Sequence, residues 1–201
     1  MRNRTEDQIK LVMIRHGKTE SNRQRRYLGR RDEALCETGR QALLKLKKRQ
    51  CYPPVDVLFA SPMRRCVQTA EILYPGMEPV CIEEWTEMDF GTFEGKTYEE
   101  LKDDMRYQRW LDSGGEMPCP AGESRADFIV RCDKGFQTML GMLKGEEKTV
   151  GMIVHGGTIM ALLGRYGGGG YFDYQTDNGR GYLCTCKRGD NRPELTVLAQ
   201  W

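Results

Sequence analysis

The run "KLVMIRHGKTESN", Lys10 to Asn22, begins with an unbroken apolar segment, Leu11 to Ile14, and turns polar at Arg15-His16-Gly17. A short segment of Leu, Val and Ile bounded by polar residues predicts a buried β-strand, Lys10 to Ile14. "TVGMIVHGG", Thr149 to Gly157, repeats the pattern: an apolar strand-like run, then histidine, then glycine. "VDVLFA", Val55 to Ala60, predicts another strand, and Val80 to Ile82 a further short one.

Between these runs the periodicity changes to that of helices. Thr38 to Arg49 carries Leu43, Leu44 and Leu46 among basic residues, with Thr38 expected as cap. Ser61-Pro62 is expected to open a helix to about Leu73, with Ser61 as cap and Pro62 in the first turn. Tyr98 to Leu111, Ser124 to Leu143 and Ile159 to Leu163 also read as helical. "YLCTCKR" and "LTVLAQW" alternate as late strands that can pair antiparallel. Repeated strand-then-helix units predict an α/β chain with a mostly parallel sheet covered on both faces. The run Gly167 to Gly170 fits a lid or a plain turn equally well.

Ligands of such sheets bind beyond the carboxyl ends of the strands. The chain has only two histidines, His16 and His155, and each ends a strand-like run just before a glycine. Parallel strands would hold both imidazoles at one sheet edge. An arginine at a buried strand end, Arg15, needs an anion, whether a carboxylate or a ligand phosphate. Gly17 lets the backbone turn tightly, and Thr19, Ser21 and Asn22 add polar groups. A neutral imidazole can attack phosphorus to give a phosphohistidine that water hydrolyses. Cationic side chains can hold the phosphoryl oxygens, so no metal is required.

Composition narrows the alternatives. The chain of 201 residues suits a single domain, 1–201, with 39% hydrophobic and 30% charged residues. A net charge of +2 argues against nucleic acid or membrane as a partner. The arginine-rich stretch "NRQRRYLGRR", Asn22 to Arg31, is followed at once by Asp32 and Glu33 and is expected to line an anionic substrate site. No apolar run approaches the roughly 20 residues of a membrane span. The segment "MRNRTEDQIK" is too polar for a signal peptide, so a cytoplasmic location is expected. The eight cysteines, Cys51 among them, form no CxxC pair and are expected to be reduced thiols rather than zinc ligands.

Six motifs in order resemble the histidine phosphatase superfamily, also called phosphoglycerate mutase-like. "IRHGKTESN" is similar to its RHG signature, and "YLGRRDEALCETGRQA", Tyr27 to Ala42, to its G-x-x-D-x-x-L-x-x-x-G-x-x-Q-A segment. "SPMRRCVQTAE", "EMDFGTFEG", "PAGES" and "VHGG" complete the set. The resemblance implies a three-layer α/β/α sandwich around a mostly parallel sheet of about six strands. It implies His16 as phosphorylated nucleophile, with Arg15 and Arg65 gripping the phosphoryl oxygens. His155 is the second, phosphate-polarising histidine, and Glu87 the acid that protonates the leaving oxygen and then activates water. Asn22, Gly29 and Gly156 join Arg15, Arg65 and His155 in substrate binding. Arg64 is expected to be a solvated helix charge, and Glu94 to serve loop structure. Two departures stand out: Lys18 replaces the family's Glu or Gln and is expected to face solvent, and Cys66 replaces an Ala.

The function implied is a metal-independent phosphomonoesterase of the histidine acid phosphatase type, cofactor-free, acting on a small phosphomonoester. A phosphoglycerate mutase is the alternative, although the stretch from Glu87 to Glu123 leaves little room for a water-shielding insertion. A non-catalytic phospholigand-binding domain is the third possibility. Bacterial relatives of this size include α-ribazole phosphatases and broad-specificity sugar phosphatases.

Overall fold

The computed structural model describes residues 8–49, 52–189 and 192–201; Cys51 lies outside them. In chain order the elements are β1 (Gln8–Arg15), α1 (Glu20–Arg23), α2 (Glu37–Lys48), β2 (Val57–Ala60), α3 (Arg64–Leu73) and β3 (Val80–Cys81). Then follow α4 (Tyr98–Leu101), α5 (Met105–Asp112), α6 (Arg125–Met142), β4 (Thr149–Val154), α7 (Gly156–Tyr166), β5 (Gly181–Lys187) and β6 (Glu194–Gln200). One six-stranded sheet has the order β3-β2-β4-β1-β5-β6. β1, β2, β3 and β4 run parallel, while β5 is antiparallel to both β1 and β6.

Alternate residues of β1 supply two cores. Ile9, Leu11 and Met13 pack with Phe128 and Phe136 of α6 and Leu162 of α7. Val12 and Ile14 pack on the other side with Leu43 of α2 and Cys66 and Leu73 of α3. This two-sided burial explains why β1 is apolar at every position from Leu11 to Ile14. Truncating a fully buried ring such as Phe128 to Ala costs about 3–5 kcal/mol, so both helical layers hold the sheet edge in place.

Register brings the strand ends into line. Arg15 pairs with Val154, and Ala60 with Ile153. The next residues stay in step: His16 N–H donates to the Val154 carbonyl at 2.9 Å, and Ser61 N–H to the Ile153 carbonyl at 3.0 Å. His16, His155 and Ser61 therefore stand side by side just past three adjacent parallel strands.

Several helix boundaries differ from expectation. Thr38 does not cap α2; Cys36 occupies the N-cap without a side-chain capping bond. Ser61 does not cap α3 either, because the chain stays extended to Met63, its N-cap. The Ser61 hydroxyl instead accepts the Met63 N–H at 3.4 Å. The expected helix from Tyr98 to Leu111 is two helices, since Asp104 caps α5 by accepting the Arg106 N–H at 2.8 Å. Ser124 does cap α6, accepting the Asp127 N–H at 3.1 Å. The Gly167 to Gly170 run is a turn from α7 into a short 3₁₀ segment, Tyr171–Tyr174. No helix among the described residues is long and apolar enough to cross a membrane.

Candidate active site

Seven of the eight expected site residues, Arg15, His16, Asn22, Gly29, Arg65, Glu87 and Gly156, line one cavity of about 260 Å³ at this edge. His155 is the exception. It is fully buried behind the lining, its ring meeting that of His16 edge-on at 5.2 Å.

The orientation of His16 follows from its backbone. Its Nδ1 lies 2.7 Å from the Gly17 carbonyl oxygen. A carbonyl only accepts, so Nδ1 carries the proton and Nε2 keeps its lone pair. Burial, then the charges of Arg65 and Arg15, hold the imidazole well below its ordinary pKa of 6.5. The ring is therefore a neutral base beside two cations. Gly17 is fixed in turn by donating its N–H to the Thr69 hydroxyl at 3.0 Å.

The two arginines are built into the wall. Arg65 donates to the Gly29 carbonyl at 2.9 Å and the Arg31 carbonyl at 2.8 Å. Arg15 donates to the Thr176 carbonyl at 2.7 Å. Each has a buried Nε–H without a partner among the described residues. Burial lowers the pKa of Arg15, with Glu87 and Asp177 opposing. Buried guanidinium groups without a paired carboxylate are costly, and an anion in the cavity relieves that cost. The start of α7 adds backbone donors: Gly156 and Gly157, its first residues, line the same cavity.

Asn22 is oriented by its neighbours. Its Oδ1 accepts the Thr19 N–H at 3.2 Å and the Asn178 side-chain amide at 3.3 Å. The Nδ2 group is thus the side-chain donor left for a ligand. Gly29 has φ +56°, and a Cβ there would collide with the Glu94 carboxylate.

Glu87 is the acidic group of the cavity. Burial raises its pKa above the ordinary 4.5, against the Met88 N–H bond and the charges of Arg65, Arg15 and Arg131. Its Oε1 accepts the Met88 N–H at 2.9 Å, and its Oε2 lies 3.9 Å from His155 Nδ1. Arg131 of α6 clamps the loop that carries it. That guanidinium donates to the carbonyls of Glu84 (2.7 Å), Thr86 (2.8 Å) and Glu87 (3.3 Å). It is itself held by both oxygens of Glu123 at 2.8 and 2.9 Å.

His155 is bonded through Nε2 to the Ser61 hydroxyl at 2.8 Å. Burial first, then Arg65 and His16, push its pKa well below 6.5. The Cys66 thiol lies 3.7 Å from the same nitrogen, and burial pushes it up to about 12. That thiol stays protonated and does not compete as a nucleophile.

The remaining expected residues fall outside the chemistry. Glu94 is loop structure: its Oε1 accepts the Arg30 N–H at 2.7 Å and the Phe90 N–H at 3.2 Å. Arg64 and Lys18 are exposed. Of the arginine-rich stretch, Arg26 lines the cavity together with Tyr27 and Leu28 while paired with Glu100 at 2.7 Å, whereas Arg23 pairs with Glu20 at 2.7 Å and Arg30 with Asp89 at 3.6 Å.

A model of the histidine phosphatase superfamily, branch 1, matches residues 11–198. The chain belongs to that superfamily. A 2,3-bisphosphoglycerate-dependent phosphoglycerate mutase of Methylorubrum extorquens is 31% identical, the match covering 76% of each chain. A phosphoserine phosphatase of Entamoeba histolytica, solved with phosphoserine, is 27% identical with a TM-score of 0.75, over 96% of each chain. The α-ribazole phosphatase of Shigella flexneri shares the fold, with a TM-score of 0.79 at 22% identity, over 94% of this chain and 96% of that one. The three-layer α/β/α sandwich is the fold of this histidine phosphatase.

Thr176 and Asn178 lie in no motif, and Ser61 and Thr69 lie in "SPMRRCVQTAE" without any sign of which residues they meet. Ser61, Thr69, Thr176 and Asn178 reach the site residues from 52 to 162 positions away in sequence. Glu123 lies in the "PAGES" motif, but only the fold shows that it holds Arg131.

Proposed function

We propose that this histidine phosphatase hydrolyses phosphomonoesters through a phosphohistidine on Nε2 of His16. The observation that carries the proposal is the Nδ1–H bond to the Gly17 carbonyl, which leaves Nε2 unprotonated beside two arginines that each have a buried, unpaired Nε–H. In the first step Nε2 attacks phosphorus and the P–O bond to the alcohol breaks. Glu87, whose pKa burial raises, gives its proton to the leaving oxygen. The Gly17 carbonyl stabilises the positive charge that develops on the ring. In the second step Glu87 takes a proton from water as the water oxygen attacks phosphorus. The P–N bond breaks, phosphate leaves, and Glu87 is protonated again. Arg15, Arg65, Asn22 Nδ2 and the first N–H groups of α7 hold the phosphoryl oxygens throughout, supplying charge that a metal would supply elsewhere. His155 acts from behind the wall, beside both His16 and Glu87.

Residues 1–201 act as one catalytic domain on a small soluble substrate. The resemblances to a phosphoserine phosphatase and an α-ribazole phosphatase support an esterase. The 31% identity to a phosphoglycerate mutase supports transfer between positions of phosphoglycerate as the second possibility.

The test is to mix the enzyme with p-nitrophenyl phosphate, quench it, and measure intact mass. One acid-labile phosphoryl group is expected on wild type and none on His16→Ala, with turnover surviving EDTA. A labelled phosphoenzyme in His16→Ala, or EDTA inactivation reversed by Mg²⁺ or Zn²⁺, would overturn the mechanism. Phosphoglycerate isomerisation faster than its hydrolysis would favour the mutase.

A further inference from the structure

The phosphoryl cavity does not end at the catalytic groups. A second cavity of about 380 Å³ shares Tyr27, Met88, Phe90, Met160 and Tyr171 with it. Trp110, Leu111 and Phe172 complete its apolar wall. The rings form a packed frame: Tyr27 lies 5.1 Å from Phe90 and 5.8 Å from Trp110, and Tyr171 lies 5.0 Å from Phe172. Phe172 remains 53% exposed and Leu111 37%, so the frame is open to a ligand from solvent.

Charge distinguishes the two cavities. Four arginines line them together: Arg15, Arg26, Arg65 and Arg125. The unpaired donors of Arg15 and Arg65 lie at the phosphoryl end. Arg26 is occupied by the Gly95 carbonyl at 2.6 Å, Glu100 at 2.7 Å and Gln24 at 2.8 Å. Arg125 is occupied by the Gly114 carbonyl at 2.9 Å and Glu116 at 2.6 Å, and its guanidinium stacks 5.2 Å above both Tyr171 and Phe172. A carboxylate on the alcohol portion of a substrate would have to compete there with Glu100 and Glu116, which already pair with the two cations. A flat apolar ring would find aromatic faces on several sides.

We propose that this aromatic compartment is a leaving-group subsite for phosphomonoesters whose alcohol bears a flat aromatic ring system, a specificity that rests on the phosphatase function proposed above. Phosphate esters of small carboxylic acids, such as phosphoserine and phosphoglycerate, are then poor substrates despite the names of the relatives.

The test compares naphthylethyl phosphate with ethyl phosphate, phosphoserine and phosphoglycerate. The ethylene spacer insulates the ring from the ester oxygen, so leaving-group chemistry is matched to ethyl phosphate. Burying one ring face predicts a kcat/KM about 10- to 100-fold higher for the naphthyl ester. Phe172→Ala, at a half-exposed position where folding is safe, should lower that ratio several-fold. Equal kcat/KM for the naphthyl and ethyl esters, or a preference for phosphoserine, overturns the subsite while leaving the phosphatase mechanism intact. If no ester turns over, the mechanism fails instead, and binding decides the subsite. Calorimetric Kd values for naphthylethylphosphonate and ethylphosphonate should then differ by the same factor, and equal values overturn it.

Discussion

Replacing Gly157 by Ala probes the acid without touching it. Gly157 is the second residue of α7, where a methyl suits the helix. A Cβ at that position would lie 2.6 Å from Glu87 Oε1 and 3.0 Å from the Phe128 ring. The ring is fully buried and yields little, so the carboxyl group must retreat by about 0.8 Å to reach an ordinary contact near 3.4 Å. Its backbone cannot follow, because Arg131 holds the carbonyls on either side. The carboxyl therefore swings away from the leaving oxygen. A misplacement on the order of 1 Å costs about 10²-fold in rate, roughly 2.7 kcal/mol of barrier. Ethyl phosphate, with a poor leaving group, should lose about that much in the phosphorylation step. p-Nitrophenyl phosphate leaves as a stabilised phenolate and should lose only a few-fold. Rapid-quench single-turnover formation of phosphoenzyme measures both, free of the hydrolysis step in which Glu87 also acts. Glu87→Gln should show the same contrast more severely. Gly156→Ala is the comparison: its Cβ would sit 3.4 Å from Arg15, so its effect falls on both leaving groups alike. Equal losses for the two substrates in Gly157→Ala would refute Glu87 as the proton donor.

Arg131→Lys keeps the charge but cannot span the same acceptors. As a positioning residue, Arg131 should then cost about tenfold in kcat for alkyl phosphates and move the basic limb of the pH profile, with KM little changed; a wild-type profile would contradict the clamp. Inorganic phosphate at a hundred times its Kd adds about 2.7 kcal/mol of stability, or about 5–11 °C in Tm for a chain of this size. Arg65→Met should abolish most of that shift. His16 and His155 are held below 6.5, so the unfolded chain binds more protons than the folded one below about pH 6.5, and stability falls as pH drops through that window. Glu87, held above 4.5, works in the opposite sense, its contribution being lost as pH rises past 4.5. Two imidazoles outweigh one carboxyl, and thermal scans should give a lower Tm at about pH 5 than at pH 7 in dilute buffer; a flat or inverted trend would mean that these rings are solvated in the fold.

Much of this architecture was legible in the sequence because its signals are local. An apolar run covered on both faces reads as a strand wherever it occurs, and His-Gly after each of two such runs places both imidazoles at one edge. Where local signals compete, expectation failed. Ser61 precedes Pro62 and looks like a cap, yet its hydroxyl faces His155. Thr38 was the better capping residue by type, but the N-cap falls two residues earlier, at Cys36. The helical period across Tyr98 to Leu111 continues through Asp104, whose side chain nevertheless starts a new helix. The set-back position of His155 and the hold of Arg131 on three carbonyls depend on how distant segments dock. Spacing along the chain carries no record of that.

The place of β1 in the sheet has a consequence for biosynthesis. Its neighbours are β4 and β5, and β5 pairs with it across on the order of 170 residues. The turn before β5 also delivers the Thr176 carbonyl and Asn178 to the site. At about 5–20 residues per second, the ribosome exposes β1 for roughly 10–35 s before β5 exists. Both edges of this apolar strand are unsatisfied until β4 is made, the second edge stays open until β5 follows, and until then the anion pocket cannot close. Ligand therefore cannot assist folding until β5 has been made, and a chaperone that shields the nascent Leu11 to Ile14 segment should raise the yield of active protein.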